Sequence, residues 1–220
     1  MDIGSAVILV TTAGSQTGST LAGHFSSLGA TVVVCDTDKR LLNETYQRCR
    51  DVTDNVHQYP LDDHSIQSIH QLFNFMDNTL NSSPDVLINS FTAEAMPDIF
   101  DQGASHVFSQ HLAMMANTLF SFGQATAERM RNEKKNGVIV NVIGHTENKA
   151  ITGFDNASSM VAGFTQSWAK ELTPFNIRVG GVVPCSEKNG QHWAEVQDEV
   201  IRNTEYIVAN DYFSGRVVAA

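Results

Sequence analysis

Two β-branched runs, Val7-Ile8-Leu9-Val10 and Val32-Val33-Val34-Cys35, bracket the small-residue stretch Thr11-Thr12-Ala13-Gly14-Ser15-Gln16-Thr17-Gly18-Ser19-Thr20. Neither run alternates polar with apolar residues, so each suits a strand covered on both faces, as in a parallel sheet between helices. Between them Leu21, Phe25 and Leu28 recur at helical spacing, and Gly29 ends the helix. A strand, a glycine turn, a helix and a second strand make a βαβ unit. Its turn offers backbone N–H groups at a helix amino terminus, where the dipole favours an anion and glycine lets one approach. Gly14, Ser15, Gln16 and Gly18 form that cradle. Asp36 ends the second run, placed to accept both hydroxyls of an adenosine ribose and to repel a 2′-phosphate.

Beyond Asp36 the pattern continues. Leu41, Leu42 and Thr45 mark a helix over 39–50, and a short strand follows at 56–59. Asp62 and Asp63 precede Ile66, Ile69, Leu72 and Phe73, where either carboxylate can cap a helix. Strands are expected at 84–89, 137–143, 176–184 and 212–218, with helices at 105–132, 156–172 and 193–203 between them. The alternation implies an α/β chain: a Rossmann-like doubly wound parallel sheet of about seven strands, helices on both faces, in one domain over 1–220.

Composition excludes other classes. A formal charge of −10 gives no basic face for nucleic acid. No apolar run nears the ~18 to 20 residues of a membrane span, and no basic region precedes the first apolar run, so a cytoplasmic protein is expected. Cys35, Cys49 and Cys185 lack metal-ligand pairing and fit reduced structural thiols. No metal site is expected.

The spacing Gly14-x-x-x-Gly18-x-Thr20 resembles the Gly-x-x-x-Gly-x-Gly of the short-chain dehydrogenase/reductase family, with Thr20 at the third glycine, where its side chain is expected to narrow the gap between helix and strand. The resemblance implies that Asp62 meets the adenine edge. It also sets Asn89-Ser90-Phe91-Thr92 against the family's Asn-Asn-Ala-Gly, with Asn89 matching and Phe91 adding bulk along the cofactor's path. The run Gly163-Phe164-Thr165-Gln166-Ser167-Trp168-Ala169-Lys170-Glu171-Leu172 resembles the family's Gly-Phe-x-x-Ser-Leu-Ala-x-Glu-Leu and fixes the register of the reacting centre.

That centre needs a tyrosine acid/base, a lysine that lowers its pKa, a serine that orients the substrate and an asparagine that anchors a water. Here Phe154, Ser158, His145 and Met115 stand in those places. None of the four tyrosines has a lysine four residues on. The connection from Cys185 to His192 is also short for the flap that covers substrate in the family.

The resemblance therefore implies a pseudoenzyme with a binding, regulatory or assembly role, holding NAD weakly or not at all. Two alternatives stand beside it: an NAD-dependent oxidoreductase that uses His145 as acid/base, and a structural subunit that binds no nucleotide. Relatives pair the helices around the fifth strand into a four-helix bundle. Ala113, Met114, Ala116, Asn117, Ala157, Met160 and Ala169 would allow the same approach, so a homodimer through 105–132 and 156–172 is expected. Those residues equally suit packing on the sheet.

Overall fold

The hydrophobic runs become the strands of one parallel sheet. The computed structural model describes residues 1–93, 96–97, 99–144, 154–184 and 193–220. In chain order these form β1 (Val7–Val10), α1 (Gln16–Ser27), β2 (Thr31–Asp36), α2 (Lys39–Arg50), β3 (Val56–Pro60), α3 (Ile66–Leu80) and β4 (Val86–Thr92). There follow α4 (Ala104–Asn132), β5 (Val138–Gly144), α5 (Phe154–Leu172), β6 (Arg178–Val183), α6 (Trp193–Ala209) and β7 (Arg216–Ala219).

The strands lie in the order β3-β2-β1-β4-β5-β6-β7, and every neighbouring pair is parallel. Strand order reverses between β1 and β4, the place where folds of this kind open a crevice at the carboxyl ends of the strands.

Successive strand residues point to opposite faces, so each apolar run serves two cores. Ile8, Val10, Val32, Val34 and Val140 pack with Leu21, Phe25, Leu42 and Ile207 from α1, α2 and α6. Leu9, Val33, Leu87 and Ile139 pack with Leu72, Phe73, Leu119, Phe122 and Val161 from α3, α4 and α5. Burial on both faces is why these runs show no alternation of polarity.

Three boundaries differ from the sequence expectation. β4 runs on past Asn89, because Ser90, Phe91 and Thr92 continue to pair with Val142, Ile143 and Gly144. α6 runs to Ala209, where the half-buried Arg178 guanidinium takes the Ile207, Val208 and Phe213 carbonyls at 2.8, 2.9 and 3.1 Å. That fork satisfies carbonyls which the helix end would otherwise orphan. β7 begins only at Arg216, since Tyr212 and Phe213 belong to the turn before it.

Candidate functional site

The predicted cradle residues meet at the β1–α1 turn beneath Asp36, and the turn is internally bonded. Ser15 caps α1: its hydroxyl donates to the Thr12 carbonyl at 2.8 Å and accepts the Gly18 N–H at 3.0 Å. Ser15 N–H also reaches Thr12 O, at 3.1 Å. An anion at this terminus must compete with Ser15 for the Gly18 amide. Asp36 is 7% exposed. One of its oxygens accepts Gly14 N–H at 2.8 Å and the other accepts Asp38 N–H at 2.9 Å. The carboxylate therefore organises the turn and the start of α2 before any hydroxyl reaches it.

The turn's geometry corrects the glycine register. A Cβ on Gly18 would stand 2.4 Å from the Thr12 carbonyl oxygen and 3.0 Å from Ala13 Cα. Gly18 is thus the residue that lets helix and strand close. Thr20, expected to narrow that gap, does not enter it: its hydroxyl donates to Gln16 O at 2.8 Å, and it shares a crevice with Gln197, Val200 and Ile201 of α6. With the last glycine of Gly-x-x-x-Gly-x-Gly placed at Gly18, the other two fall on Gln16 and Thr12.

Thr12 bears the mark of a vacated glycine. Its φ is +48°, left-handed backbone that a β-branched residue rarely adopts and that costs about 1–3 kcal/mol. Hydroxyl donation from Thr12 to Ser90 O at 2.9 Å holds it there. Thr11 adds a second staple to the same carbonyl at 3.0 Å. Sequence reasoning passed over Thr12 because a glycine at 14 matched one more position of the pattern.

In the middle of β4, Asn89 lies inside the protein, fully buried, rather than at the ligand edge. Its amide donates to Leu119 O at 3.0 Å and to the Asn141 side chain at 3.2 Å, and Asn141 in turn donates to Thr165 Oγ1 at 3.2 Å. This buried chain ties β4 and β5 to α4 and α5. Phe91, expected along the cofactor's path, is 4% exposed and packs downward into the α3–α4–α5 core. Period-two alternation puts it on the same face as Asn89.

Met115 of α4 is buried in that same apolar cluster with Phe91, Ala157 and Val161, and Ser158 is half-buried on α5. A thioether surrounded by hydrocarbon neither donates nor holds a relay water. Phe154 opens α5. His145 and the Cys185–His192 connection lie outside the described residues.

Asp62 and Asp63 part ways. Ser65, not either aspartate, is the N-cap of α3, accepting Ser68 N–H at 3.2 Å. Asp63 accepts the Ser65 and Ser68 hydroxyls at 2.5 and 2.6 Å, and the Ser65 amide at 2.9 Å. Those bonds, the Ser65 hydroxyl foremost, hold its pKa down to about 2. Asp62 is exposed and takes no part in this cap.

Because bonding depresses the folded pKa, the Asp63 contribution is complete above the unfolded value near 4 and fades as pH falls through about 2. An NMR acid titration is expected to leave the Ser65 and Ser68 amides undisturbed at pH 4 and to shift them together toward pH 2. Independent shifts near pH 4 would show that the carboxylate is not held in this cap.

Cys35 and Cys49 are buried, and burial pushes both thiols up, which suits inert packing. Among the described residues no group of histidine, cysteine and carboxylate side chains could hold a metal, and no helix is long and apolar enough to cross a membrane.

A doubly wound parallel sheet with a Ser15-capped turn at its switch point defines the Rossmann-like class of fold. Within that class the sequence is specific: the family model for short chain dehydrogenase matches residues 6–199, and the chain belongs to that family. It is 24% identical over 212 residues to a diacetyl reductase, (S)-acetoin forming, of Staphylococcus epidermidis, covering 95% of this chain and 81% of that one. A 3-oxoacyl-acyl-carrier-protein reductase of Thermotoga maritima is 28% identical over 186 residues, 81% of this chain and 72% of that one.

Among solved structures, a short-chain type dehydrogenase/reductase from Mycobacterium marinum superposes with a TM-score of 0.84 at 18% identity, over 99% of this chain and 94% of that one. An NAD+-bound xylitol dehydrogenase superposes at 0.81 with 17% identity, over 97% and 96%. At such identity the likeness establishes fold.

Proposed function

We propose that this protein is a redox-inactive member of the short-chain dehydrogenase family, a pseudoenzyme whose fold serves binding, regulation or assembly in the cytoplasm. The observation that carries this reading is Met115, buried in the apolar cluster that also holds Phe91, Ala157 and Val161, at the place where the family's relay has a polar group. Phe154 and Ser158 add a ring without a proton and a hydroxyl without a charge in the places of the phenol and ammonium.

The residues at the turn do not fit a dinucleotide well. Asp36 already holds two backbone amides, Ser15 occupies the Gly18 amide, and Gln16 puts a side chain at the helix terminus where bare backbone would meet a pyrophosphate. The cofactor family members use supplies hydride chemistry when bound. This chain's own residues offer no proton relay beside it.

Two measurements test the proposal. Purified protein with NAD(H) or NADP(H) is expected to turn over no aldehyde, ketone or alcohol in a broad panel. Phe154→Tyr combined with Ser158→Lys is expected to gain nothing, because Met115 still leaves the centre apolar. Turnover that disappears in His145→Ala would replace this reading with substituted acid/base chemistry.

A homodimer through α4 and α5 belongs to the same proposal. From Ala104 through Ala127 α4 carries no Lys, Arg, Asp or Glu, yet Ala113, Met114, Asn117 and Phe120 are exposed along it. Between α4 and α5 a groove of about 230 Å³ runs past Phe120, Gly123, Trp168, Leu172 and Phe175, with Gln124, Glu128, Arg131 and Glu171 also lining it. Ala157 and Ala169, expected in this contact, are buried and face the core instead. Light scattering at micromolar concentration is expected to report twice the chain mass, and a monomer there would retire the dimer.

A further inference from the structure

Ahead of β5 the chain reads Lys135-Asn136-Gly137, and its last two residues are constrained in opposite ways. Gly137 is buried, and a Cβ there would come within 2.3 Å of Met130 Sδ. Met130 is itself fully buried, so a side chain at 137 would have to push the end of the Met130 side chain aside inside packed core. Asn136 has no such assignment. It is exposed, its side-chain amide bonds to no described group, and it borders an open cavity of about 630 Å³ shared with Thr173, Asn176 and Arg178.

The backbone around the pair is held on all sides but one. Gly137 O accepts Arg178 N–H at 2.9 Å, and Val138 N–H reaches Asp85 O at 2.9 Å. The Gly137 N–H itself donates to no described acceptor, so nothing there competes for its lone pair once the proton is lost.

We propose that Asn136 is a self-modification site, converting to aspartate and isoaspartate through a cyclic imide made with the Gly137 nitrogen. Hydroxide takes the Gly137 amide proton, and the nitrogen attacks Asn136 Cγ. A nitrogen–carbon bond forms, the side-chain carbon–nitrogen bond breaks, and ammonia leaves. Water then opens the imide at either carbonyl, so water is the only co-reactant and no oxidant or enzyme is required. The fold favours this chemistry, because close packing on Met130 favours at 137 the small neighbour that makes an asparagine labile.

The product changes the fold locally. An isoaspartyl link lengthens the main chain by one carbon at residue 136, one residue ahead of Gly137 and two ahead of Val138, which pairs with both Val86 and Arg178. It also places a carboxylate beside Lys135, whose ammonium pairs with Asp85 at 2.9 Å.

The test is ageing of the folded protein at mildly alkaline pH, followed by peptide mapping with an isoaspartate-specific readout. A sample kept in urea supplies the unfolded rate, and Asn189-Gly190, the chain's other asparagine–glycine pair, is mapped in the same digests. Position 136 is expected to convert in the folded protein at a rate comparable to the unfolded chain. Asn136→Gln is expected to abolish the conversion, and the aged fraction is expected to melt lower than the fresh one. Retention of the amide at 136 in the folded protein, over the time in which the urea sample loses it, would overturn the proposal.

Discussion

Gly18→Ala is expected to cost about 3 kcal/mol, at the upper end of overpacking and among the largest effects of any single methyl group added to this chain. The new Cβ would lie 2.4 Å from a backbone carbonyl oxygen and 3.0 Å from a backbone Cα, neither of which can swing aside as a side chain end can. Relief requires α1 to move off β1, and α1 carries Leu21, Ala22 and Phe25 in the core. For a chain of this length each kcal/mol lowers Tm by roughly 2–4 °C, so the loss is readable by calorimetry or circular dichroism.

Thr20→Ala is the paired control and is expected to stay within about 0.5 kcal/mol, because Thr20 gives up only a hydroxyl bonded to its own helix. If Thr20→Ala lowered Tm as far as Gly18→Ala, the glycine assignment of this turn would be wrong. The contrast separates two registers that differ by two residues and share Gly18.

That two-residue difference shows what the sequence made legible. The parallel sheet was readable because Val7–Val10 and Thr31–Asp36 are apolar on both sides, and nothing but burial on two faces calls for such runs. The turn was harder. Matching glycine to glycine favours Gly14 and Gly18, and both are closely approached, Gly14 by Leu41 and Asp36 and Gly18 by backbone of the turn, whereas the left-handed backbone falls on Thr12. A threonine held at positive φ by a hydrogen bond to Ser90 has no signature in composition or spacing. The strain appears only once the chain is closed on β4.

The family's reacting centre was set against this sequence by register alone. Phe154 and Ser158 could be placed from the run at Gly163–Leu172, since a phenylalanine cannot ionise in any environment. The fate of the bulky substitutions was not legible. Phe91 read as bulk along the cofactor's path and Met115 as a replaced relay asparagine, and both are buried in the α3–α4–α5 core. Hydrophobic residues vacating a polar site gain by sinking into the nearest core, at about 25 cal/mol for each Å² removed from water. Sequence identifies what is lost at such a position, while packing decides where the replacement goes. Asn89 makes the complementary point: a polar residue that matched a cofactor motif is spent holding Leu119 and Asn141.

If the turn is what weakens nucleotide binding, restoring its glycines is expected to bring affinity back without restoring chemistry. Gln16→Gly removes the side chain from the first residue of α1, where glycine lets backbone amides approach a pyrophosphate. Thr12→Gly removes a β-branched residue from φ +48° and frees the turn from its staple to Ser90 O. Removing an obstruction worth about 1.4 kcal/mol tightens binding tenfold, and the double variant is expected to gain at least about that factor for NAD, read by calorimetric titration against the unmodified protein.

Most of the gain is expected from Gln16→Gly, because Thr12 is strained with or without ligand while Gln16 opens the helix terminus that a pyrophosphate would approach. Asp36 remains in place to disfavour a 2′-phosphate, so NADP is expected to gain less than NAD. Neither variant is expected to turn over any carbonyl or alcohol, since Met115, Phe154 and Ser158 are unchanged. Unaltered NAD affinity in both variants would move the obstruction away from the turn, to the Asp36 carboxylate already committed to Gly14 and Asp38.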